Sequence, residues 1–339
     1  FLGSNRSKKS VALDLKQADA QEALIALVAT ADVLMHSMRP QKLAALGLAP
    51  EALRQRFPRL VYASLVGFLP GPYAGKPAYD DVIQGMSGLA DLMERQGGEM
   101  RYLPTIAADK TCAHVAAHAI LAALWQRERT GQGAFVEIPM FESMVGFNLV
   151  EHYYGQHFEP PLSAPGYPRV LAPWRRPYRT ADGAVAMMPY TNLHWQRFFT
   201  EVGAPELARD ARFVDIASRT RHIAELLELA SGFTERHTTA HWIAVCERLE
   251  IPAAPVAKLQ DLPLDPHLVA TDFFETVADP ALGDVRFPGV PVRFDGQRAA
   301  ITMPPRLGEH TRELLAQAGL GAAQIDALVD TRAAIAPAT

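Results

Sequence analysis

The sequence predicts an α/β fold, in which a large domain built on a parallel sheet is joined to a small α+β domain. Strand-like and helical segments alternate over residues 10–66, and this alternation is the first observation behind the prediction. Strands that alternate with helices at this spacing form parallel sheets, whose ligands bind beyond the carboxyl ends of the strands. The second observation is a Pro-rich connection over residues 160–177, which we interpret as a domain boundary.

The individual elements are assigned from the spacing of apolar residues. Residues 10–15 alternate and predict a strand, whereas residues 17–30 carry an apolar stripe at helical spacing. The further elements expected before the boundary are a strand over 31–36, a helix from Arg39, a strand over 60–66, a helix over 111–127, a strand over 134–140 and a helix over 141–154. Beyond the boundary we expect a hairpin around Asp182-Gly183, helices over 194–202, 221–234 and 239–249, and an extended segment over 251–256.

Composition excludes several classes of function. The chain has 339 residues, 49% of them hydrophobic and 21% charged, as in an ordinary globular protein that can bury a sizeable core. A formal net charge of -4 argues against nucleic acid and anionic membranes as partners, although a small basic pocket for one phosphorylated cofactor stays compatible with it. The apolar run over residues 114–125 is too short to span a bilayer. Two cysteines cannot form a disulfide framework, which indicates a reducing compartment, most simply the cytoplasm.

Asp109 stands directly before an apolar helical segment. An Asp in this position is typical of an N-cap, whose carboxylate accepts free N–H groups of the first turn. The positive end of the helix dipole would also keep the carboxylate ionised and fixed, as a nucleophile requires. The local pattern leaves both interpretations open.

Three segments follow one another around this residue. Ala108-Asp109-Lys110 leads into a helix rich in small residues, Arg129-Thr130-Gly131-Gln132-Gly133 breaks that helix, and Phe135-Val136-Glu137-Ile138 reads as a strand. In this order the segments resemble the family III CoA-transferases of the CaiB/BaiF type. The resemblance extends over almost the whole chain.

The resemblance implies the architecture. Residues 1–160 are expected to form a Rossmann-like, CoA-binding large domain that lacks the first part of the family's domain. Residues 178–260 are expected to form the small α+β domain, and residues 261–339 are expected to return to the large domain. Two such chains are expected to interlock as a homodimer.

The resemblance also implies the reaction, which is transfer of CoA from an acyl-CoA donor to a carboxylic acid. Asp109 matches the family's catalytic residue, whose carboxylate attacks the thioester to give a mixed anhydride and CoA thiolate. Backbone amides of a glycine-containing loop are expected to stabilise the tetrahedral oxyanions. Coenzyme A is therefore expected as part of the substrate, and no metal is required.

Positions for CoA binding follow residue by residue from the same resemblance. Leu13 and Lys16 match the strand end that frames the adenine and phosphates, with Lys16 as a phosphate partner. Ser37-Met38-Arg39 stands where the family usually has Asn-Phe-Arg, so only the Arg is retained.

Tyr79 and Asp80 match residues next to the pantetheine channel. From the local sequence alone, the same two residues are also typical of a buried Tyr and a capping Asp. Trp174-Arg175-Arg176 is interpreted as a loop anchor that could also contact the acyl group or a CoA phosphate. His114 and His118 share a helix face near Cys112, but the Glu of a zinc protease motif is absent, which favours a packed helix over a metal site.

Two alternative functions remain. The α-methylacyl-CoA racemase branch shares the fold and the Asp, but it requires a His immediately before the Asp of the Tyr79-Asp80 pair. A phenol is a poor base near neutral pH, so the sequence favours the transferase. A catalytically silent CoA-binding subunit is the other alternative.

Overall fold

The computed structural model describes residues 1–337, with the side chains of residues 40 and 41 left aside. The chain divides into two compact units. Unit 1 comprises residues 1–76, residues 112–139 and the chain from residue 259 onward, and unit 2 comprises residues 77–111 and 140–258. The domain boundaries expected from the sequence stay a prediction.

Unit 1 contains a short parallel sheet and two antiparallel strand pairs. Its helices and strands are α1 (Leu2–Asn5), β1 (Ala12–Leu13), α2 (Ala18–Thr30), β2 (Val33–His36), α3 (Pro40–Ala45), α4 (Pro50–Arg56), β3 (Val61–Val66), β4 (Phe135–Pro139), α14 (Pro266–Ala270), β8 (Phe274–Asp279), β9 (Gly283–Pro288), α15 (Thr311–Gln317), α16 (Ala322–Asp330) and β10 (Ala334–Ile335). A 3₁₀ turn over Leu259–Leu264 precedes α14.

The parallel sheet confirms the predicted α/β fold. Its strand order is β2-β3-β4, and β3 pairs in parallel with both neighbours. Val61, Tyr62 and Ala63 of the central strand are fully buried, as expected for a parallel strand that is covered on both faces. The Tyr62 hydroxyl donates a hydrogen bond of 2.7 Å to the Leu48 carbonyl, which satisfies the one polar group of this side chain.

The prediction that the strand over 10–15 joins the parallel sheet is wrong. Only Ala12 and Leu13 form a strand, and they pair in antiparallel fashion with β10 at the other end of the chain. The reason is apolar packing: Ala20 and Ala23 of α2 belong to one buried cluster with Leu315 of α15 and residues of α16. This cluster brings the C-terminal strand beside β1, and no local pattern could reveal that partner.

The Arg-Thr-Gly-Gln-Gly turn has a geometric explanation. Helix α7 (Ala107–Thr130) begins in unit 2 and continues into unit 1. It is followed by Gly131, whose φ of +74° strongly favours glycine. A Cβ atom at Gly133 would lie 2.0 Å from the Leu60 carbonyl oxygen, so only glycine permits this close approach to the chain before β3. The turn thereby starts β4 beside β3.

Unit 2 is mainly helical around a small antiparallel sheet. Its elements are α5 (Asp80–Met86), α6 (Leu89–Gly97), the first turn of α7, α8 (Met140–His152), α9 (Pro168–Leu171), β5 (Tyr178–Arg179), β6 (Ala184–Met187), α10 (Asn192–Glu201), α11 (Ile216–Arg221), α12 (Ile223–Thr234), α13 (Thr239–Leu249) and β7 (Ala253–Pro255). Short 3₁₀ turns occur over Tyr154–His157 and Pro205–Arg209.

The predicted hairpin is confirmed, and it forms part of the sheet β5-β6-β7. The Asp182 carboxylate accepts hydrogen bonds from the Thr239 N–H at 2.7 Å and from the Thr239 hydroxyl at 3.0 Å. The hairpin is thus tied to the start of α13. Beneath it lies an aromatic core in which Phe198, Phe199 and Trp242 are buried.

We expect Phe198→Ala to lower the free energy of unfolding by about 3–5 kcal/mol, because it removes a fully buried ring and leaves a cavity. Phe294→Ala is the matched control, since that ring is exposed and its loss should change stability by about 0.5 kcal/mol or less. Urea unfolding followed by tryptophan fluorescence measures both values. Equal stability of the two variants would contradict the assigned core.

Candidate active site

Asp109 lies in the first turn of α7 and does not cap it. The helix begins at Ala107, three residues earlier than an Asp109 cap requires, so the N-cap interpretation is wrong. The Asp109 side chain is exposed, and its carboxylate accepts no hydrogen bond from any residue in the described range. The carboxylate is therefore accessible to a reactant.

The capping group is Asp80. Its Oδ1 accepts a hydrogen bond of 3.0 Å from the Asp109 backbone N–H, one of the donors that a helix start leaves without an intrahelical partner. Its Oδ2 accepts a hydrogen bond of 2.6 Å from Gln84 Nε2. Asp80 is itself buried, so it holds the backbone of Asp109 from inside unit 2 while the Asp109 side chain stays outside.

Gln84 completes this arrangement and was missed by the sequence analysis. It is fully buried, and its Nε2 also donates to the Thr105 carbonyl at 3.1 Å, while its Oε1 accepts from the Leu103 N–H at 2.9 Å. Gln84 thus ties the loop before α7 to α5. The spacing of four residues between Asp80 and Gln84, which places both side chains on one helix face, is the signal that could have revealed it.

The electrostatic environment raises the pKa of Asp109. Partial burial of the carboxyl group is the larger cause, and the negative charge of Asp80 is the second. This direction is opposite to the one expected from the helix dipole alone. A carboxylate with a raised pKa is a stronger nucleophile once it is ionised, but it becomes protonated at a higher pH.

The local expectation of a buried Tyr79 and a capping Asp80 holds for only one of the two residues. Tyr79 precedes α5 and is exposed, so its interpretation as a buried side chain is wrong. The interpretation of Asp80 as a capping residue holds, although the helix it caps is α7 and not the one in which it lies.

Lys16 is positioned by a turn at the end of β1. Leu13, the last residue of that strand, pairs with Ala334. The next residue, Asp14, accepts hydrogen bonds from the Lys16 N–H at 3.2 Å and from the Gln17 side chain at 3.1 Å. This side-chain turn presents Lys16 as an exposed ammonium group, which forms no ion pair with any residue among 1–337.

Ser37, Met38 and Arg39 follow the carboxyl end of β2. The His36 Nδ1 accepts a hydrogen bond of 3.1 Å from the Met38 N–H, and burial lowers the pKa of this imidazole. The neutral ring packs edge-on against Tyr62, with 5.2 Å between the ring centroids. Ser37 and Arg39 are exposed, and in the described part of the chain Arg39 forms no ion pair.

The candidate positions are therefore divided between the two units. Tyr79, Asp80 and Asp109 lie together in unit 2, and hydrogen bonding joins the last two. The positions in unit 1 are Leu13, Lys16, Ser37, Met38 and Arg39.

His114 and His118 are exposed on α7. Over residues 1–337, no group of three or more His, Cys, Asp or Glu side chains is arranged to hold a metal ion. No helix in this range is long and apolar enough to cross a membrane.

The comparisons with known proteins agree with one another. The sequence profile of CoA-transferase family III matches residues 1–311. A Mycobacterium tuberculosis protein named "probable fatty acyl-CoA transferase Rv3272" is 32% identical over 333 residues, which cover 94% of this chain and 83% of that protein. The succinyl-CoA:mesaconate CoA-transferase of Haloarcula hispanica is 29% identical over 335 residues, covering 95% and 82% of the two chains.

Solved structures give the same result. The orthorhombic crystal structure of Rv3272 superposes with a TM-score of 0.79 at 29% identity and covers 93% of this chain and 85% of its own. A CaiB/BaiF family protein from Brucella suis superposes with a TM-score of 0.73 at 27% identity, covering 93% and 83% of the two chains. Because its sheet is parallel and the family profile matches more than nine-tenths of its length, the chain belongs to CoA-transferase family III and is a CoA-transferase.

Proposed function

We propose that the chain transfers CoA from an acyl-CoA to a free carboxylic acid through covalent intermediates on Asp109. The observation that carries the proposal is the exposed carboxylate in the first turn of α7, whose backbone is held by a buried partner. A nucleophile must be accessible, fixed and sufficiently basic. Exposure of Asp109, its bond to Asp80 and its raised pKa supply these three properties.

CoA is transferred in two stages, first from the donor acyl group to Asp109 and then from Asp109 to the acceptor acid. An Asp109 oxygen attacks the thioester carbonyl carbon, the C–S bond breaks, and a mixed anhydride and CoA thiolate result. The thiolate then attacks the Asp109 carbonyl carbon, which releases the donor acid and leaves an aspartyl thioester. The acceptor carboxylate displaces CoA to form a second anhydride, and attack of the thiolate on the acceptor acyl carbon restores the Asp109 carboxylate. In an alternative sequence of steps, the acceptor carboxylate enters the site before the aspartyl thioester forms.

Coenzyme A binding is proposed at the strand ends of unit 1. Lys16 and Arg39 are exposed cations that form no ion pair in the described range, so both are available to phosphate oxygens. We assign Leu13, Ser37 and Met38 to the surface that contacts the nucleotide. Tyr79, which is exposed beside Asp80, is assigned to the pantetheine arm.

Asp80 has a different part in this proposal. Both of its carboxylate oxygens already accept hydrogen bonds, one from the Asp109 backbone and one from Gln84. We therefore propose that Asp80 positions Asp109 in addition to lying next to the pantetheine arm, as the resemblance implies.

The substrates are proposed as an acyl-CoA and a carboxylic acid. The relatives are named for acids of two kinds, a fatty acyl group in one and the dicarboxylic acids succinate and mesaconate in another. We propose a reducing compartment, most simply the cytoplasm, because the two cysteines, Cys112 and Cys246, cannot form a disulfide framework. Burial raises the pKa of Cys246 to about 11, so this thiol stays protonated and unreactive.

A homodimer is proposed from the surface of two helices. On α7, Leu121 is exposed and Trp125 is 70% exposed. On α8, Phe147 is exposed and Val150 is 77% exposed. Large exposed apolar side chains that cluster on a surface mark interaction sites, so we infer that a second copy of the chain covers these side chains.

We expect an acyl-CoA followed by hydroxylamine to convert the Asp109 carboxyl group to a hydroxamate, because hydroxylamine captures anhydrides and thioesters. Mass spectrometry of the peptide that contains Asp109 detects the product. Asp109→Ala should lose the product and at least about a thousand-fold in turnover. Asp81→Asn, which removes a nearby exposed carboxylate, should keep both.

Two outcomes would contradict this mechanism. Exchange of the acyl α-proton without any adduct would support the racemase alternative. Binding of CoA with neither adduct nor exchange, across a broad panel of acyl-CoA compounds, would support the silent subunit.

We expect the wild-type chain to sediment as a dimer in analytical ultracentrifugation, and Trp125→Glu to dissociate it by placing a charge in an apolar interface. Gln126→Glu is the matched control, since it adds the same charge at an exposed position about 100° further around the helix. A wild-type monomer at micromolar concentration, or equal dissociation by both variants, would argue against the proposed interface.

A further inference from the structure

A cavity of about 570 Å³ lies within unit 2, and every residue that lines it belongs to that unit. This volume falls in the range of pockets that hold small molecules, which runs from about 300 to 1,000 Å³. Most of its wall is apolar, with Met187, Trp195, Ile223 and Leu227 among the lining residues. These walls suit the body of an apolar ligand.

The charged residues of the wall all have the same sign. Among the lining residues that the structure describes, the charged ones are Arg169, Arg175 and Arg176. Arg175 and Arg176 are exposed, and Arg176 stacks on the Trp174 ring at 4.4 Å. Arg169 is more than nine-tenths buried and lines the cavity.

Arg169 has no anionic partner that would compensate for this burial. Its guanidinium donates a long hydrogen bond of 3.4 Å to the Thr220 hydroxyl and lies 5.4 Å from the centroid of the Tyr190 ring. Within residues 1–337, no Asp or Glu forms an ion pair with it. A buried charge without a partner of opposite sign is costly, and most buried charges in proteins are paired.

A second buried guanidinium makes the local charge more positive. Arg219 is almost fully buried and donates to the Phe213 carbonyl at 2.8 Å and to the Asn192 Oδ1 at 2.6 Å, both of them uncharged acceptors. Its pKa is lowered first by burial and then by the positive charge of Arg169, against a smaller opposite effect of Asp215. The electrostatic effect of Arg169 on Arg219 indicates that the two guanidinium groups lie close together, with Asp215 offsetting part of their positive charge.

We propose that this cavity binds a carboxylic acid with an apolar body, whose carboxylate pairs with Arg169 and whose chain lies against Met187, Trp195 and Leu227. A guanidinium matches the two oxygens of a carboxylate with two parallel hydrogen bonds. The site does not depend on Asp109, so it can be tested apart from the transfer reaction.

Isothermal titration of the full chain with hexanoate, octanoate, methyl octanoate and inorganic phosphate tests the proposal. Octanoate should bind about tenfold more tightly than hexanoate, since two further methylene groups are buried. Methyl octanoate, which lacks the charge, should bind at least about tenfold more weakly than octanoate. Asp109→Ala should bind octanoate as the wild type does, so that failure of this site and failure of the transferase mechanism are told apart.

Arg169→Met should weaken octanoate binding at least about tenfold, because it removes the guanidinium and keeps an unbranched apolar side chain. The matched control is Arg212→Met in the same unit, since Arg212 already pairs with Asp210 and Glu225 and does not line the cavity. If Arg169→Met does not fold, Ala254→Phe replaces it as the test. This substitution fills part of the cavity from an exposed lining position and should also weaken octanoate binding.

The proposal is overturned if octanoate and its methyl ester bind equally, or if Arg169→Met or Ala254→Phe binds octanoate as the wild type does. Displacement of octanoate by inorganic phosphate at equal concentration would overturn the assignment to a carboxylate. Absence of octanoate binding to the wild type in the millimolar range would overturn the site itself.

Discussion

The hydrogen bond from the Asp109 backbone N–H to the buried Asp80 carboxylate is the contact on which the candidate active site depends. It supplies the first turn of a helix of 24 residues with an acceptor and joins that helix to α5. Because Asp80 holds the backbone, the side chain of Asp109 is left exposed for chemistry. Gln84 fixes Asp80 in turn and holds the preceding loop through the Leu103 N–H and the Thr105 carbonyl.

The same contact has an electrostatic consequence. A serine or threonine cap would satisfy the N–H without adding charge, whereas Asp80 places a second carboxylate beside Asp109. Its negative charge adds to partial burial and raises the pKa of Asp109. The site therefore combines positioning with increased basicity of the nucleophile. The corresponding cost is that Asp109 becomes protonated at a higher pH than an ordinary Asp, and activity should be lost on the acid side.

Local sequence patterns predicted the elements that nearby residues determine. They failed for features that depend on a partner far away in the sequence. The parallel strands and the hairpin followed from apolar spacing and an Asp-Gly turn. The placement of β1 failed because its partner, β10, lies at the opposite end of the chain. The local pattern around Asp109 is typical of a cap, whereas the true cap, Asp80, stands 29 residues earlier and leaves no local signal. The sequence around Arg169 does not indicate a binding site, because burial of the arginine and the lack of a carboxylate partner are visible only in the structure.

The pH dependence of acyl-adduct formation at Asp109, compared between the wild type and Asp80→Asn, tests this account most directly. The reactive form is the carboxylate, so the rate falls as the pH decreases through the pKa of Asp109. Removing the Asp80 charge lowers that pKa, and the account predicts that the acid limb moves to lower pH in Asp80→Asn. Asp81→Asn, which changes an exposed charge in the same helix, should leave the limb in place. An acid limb that stays unchanged in Asp80→Asn, or that moves to higher pH, would contradict the account.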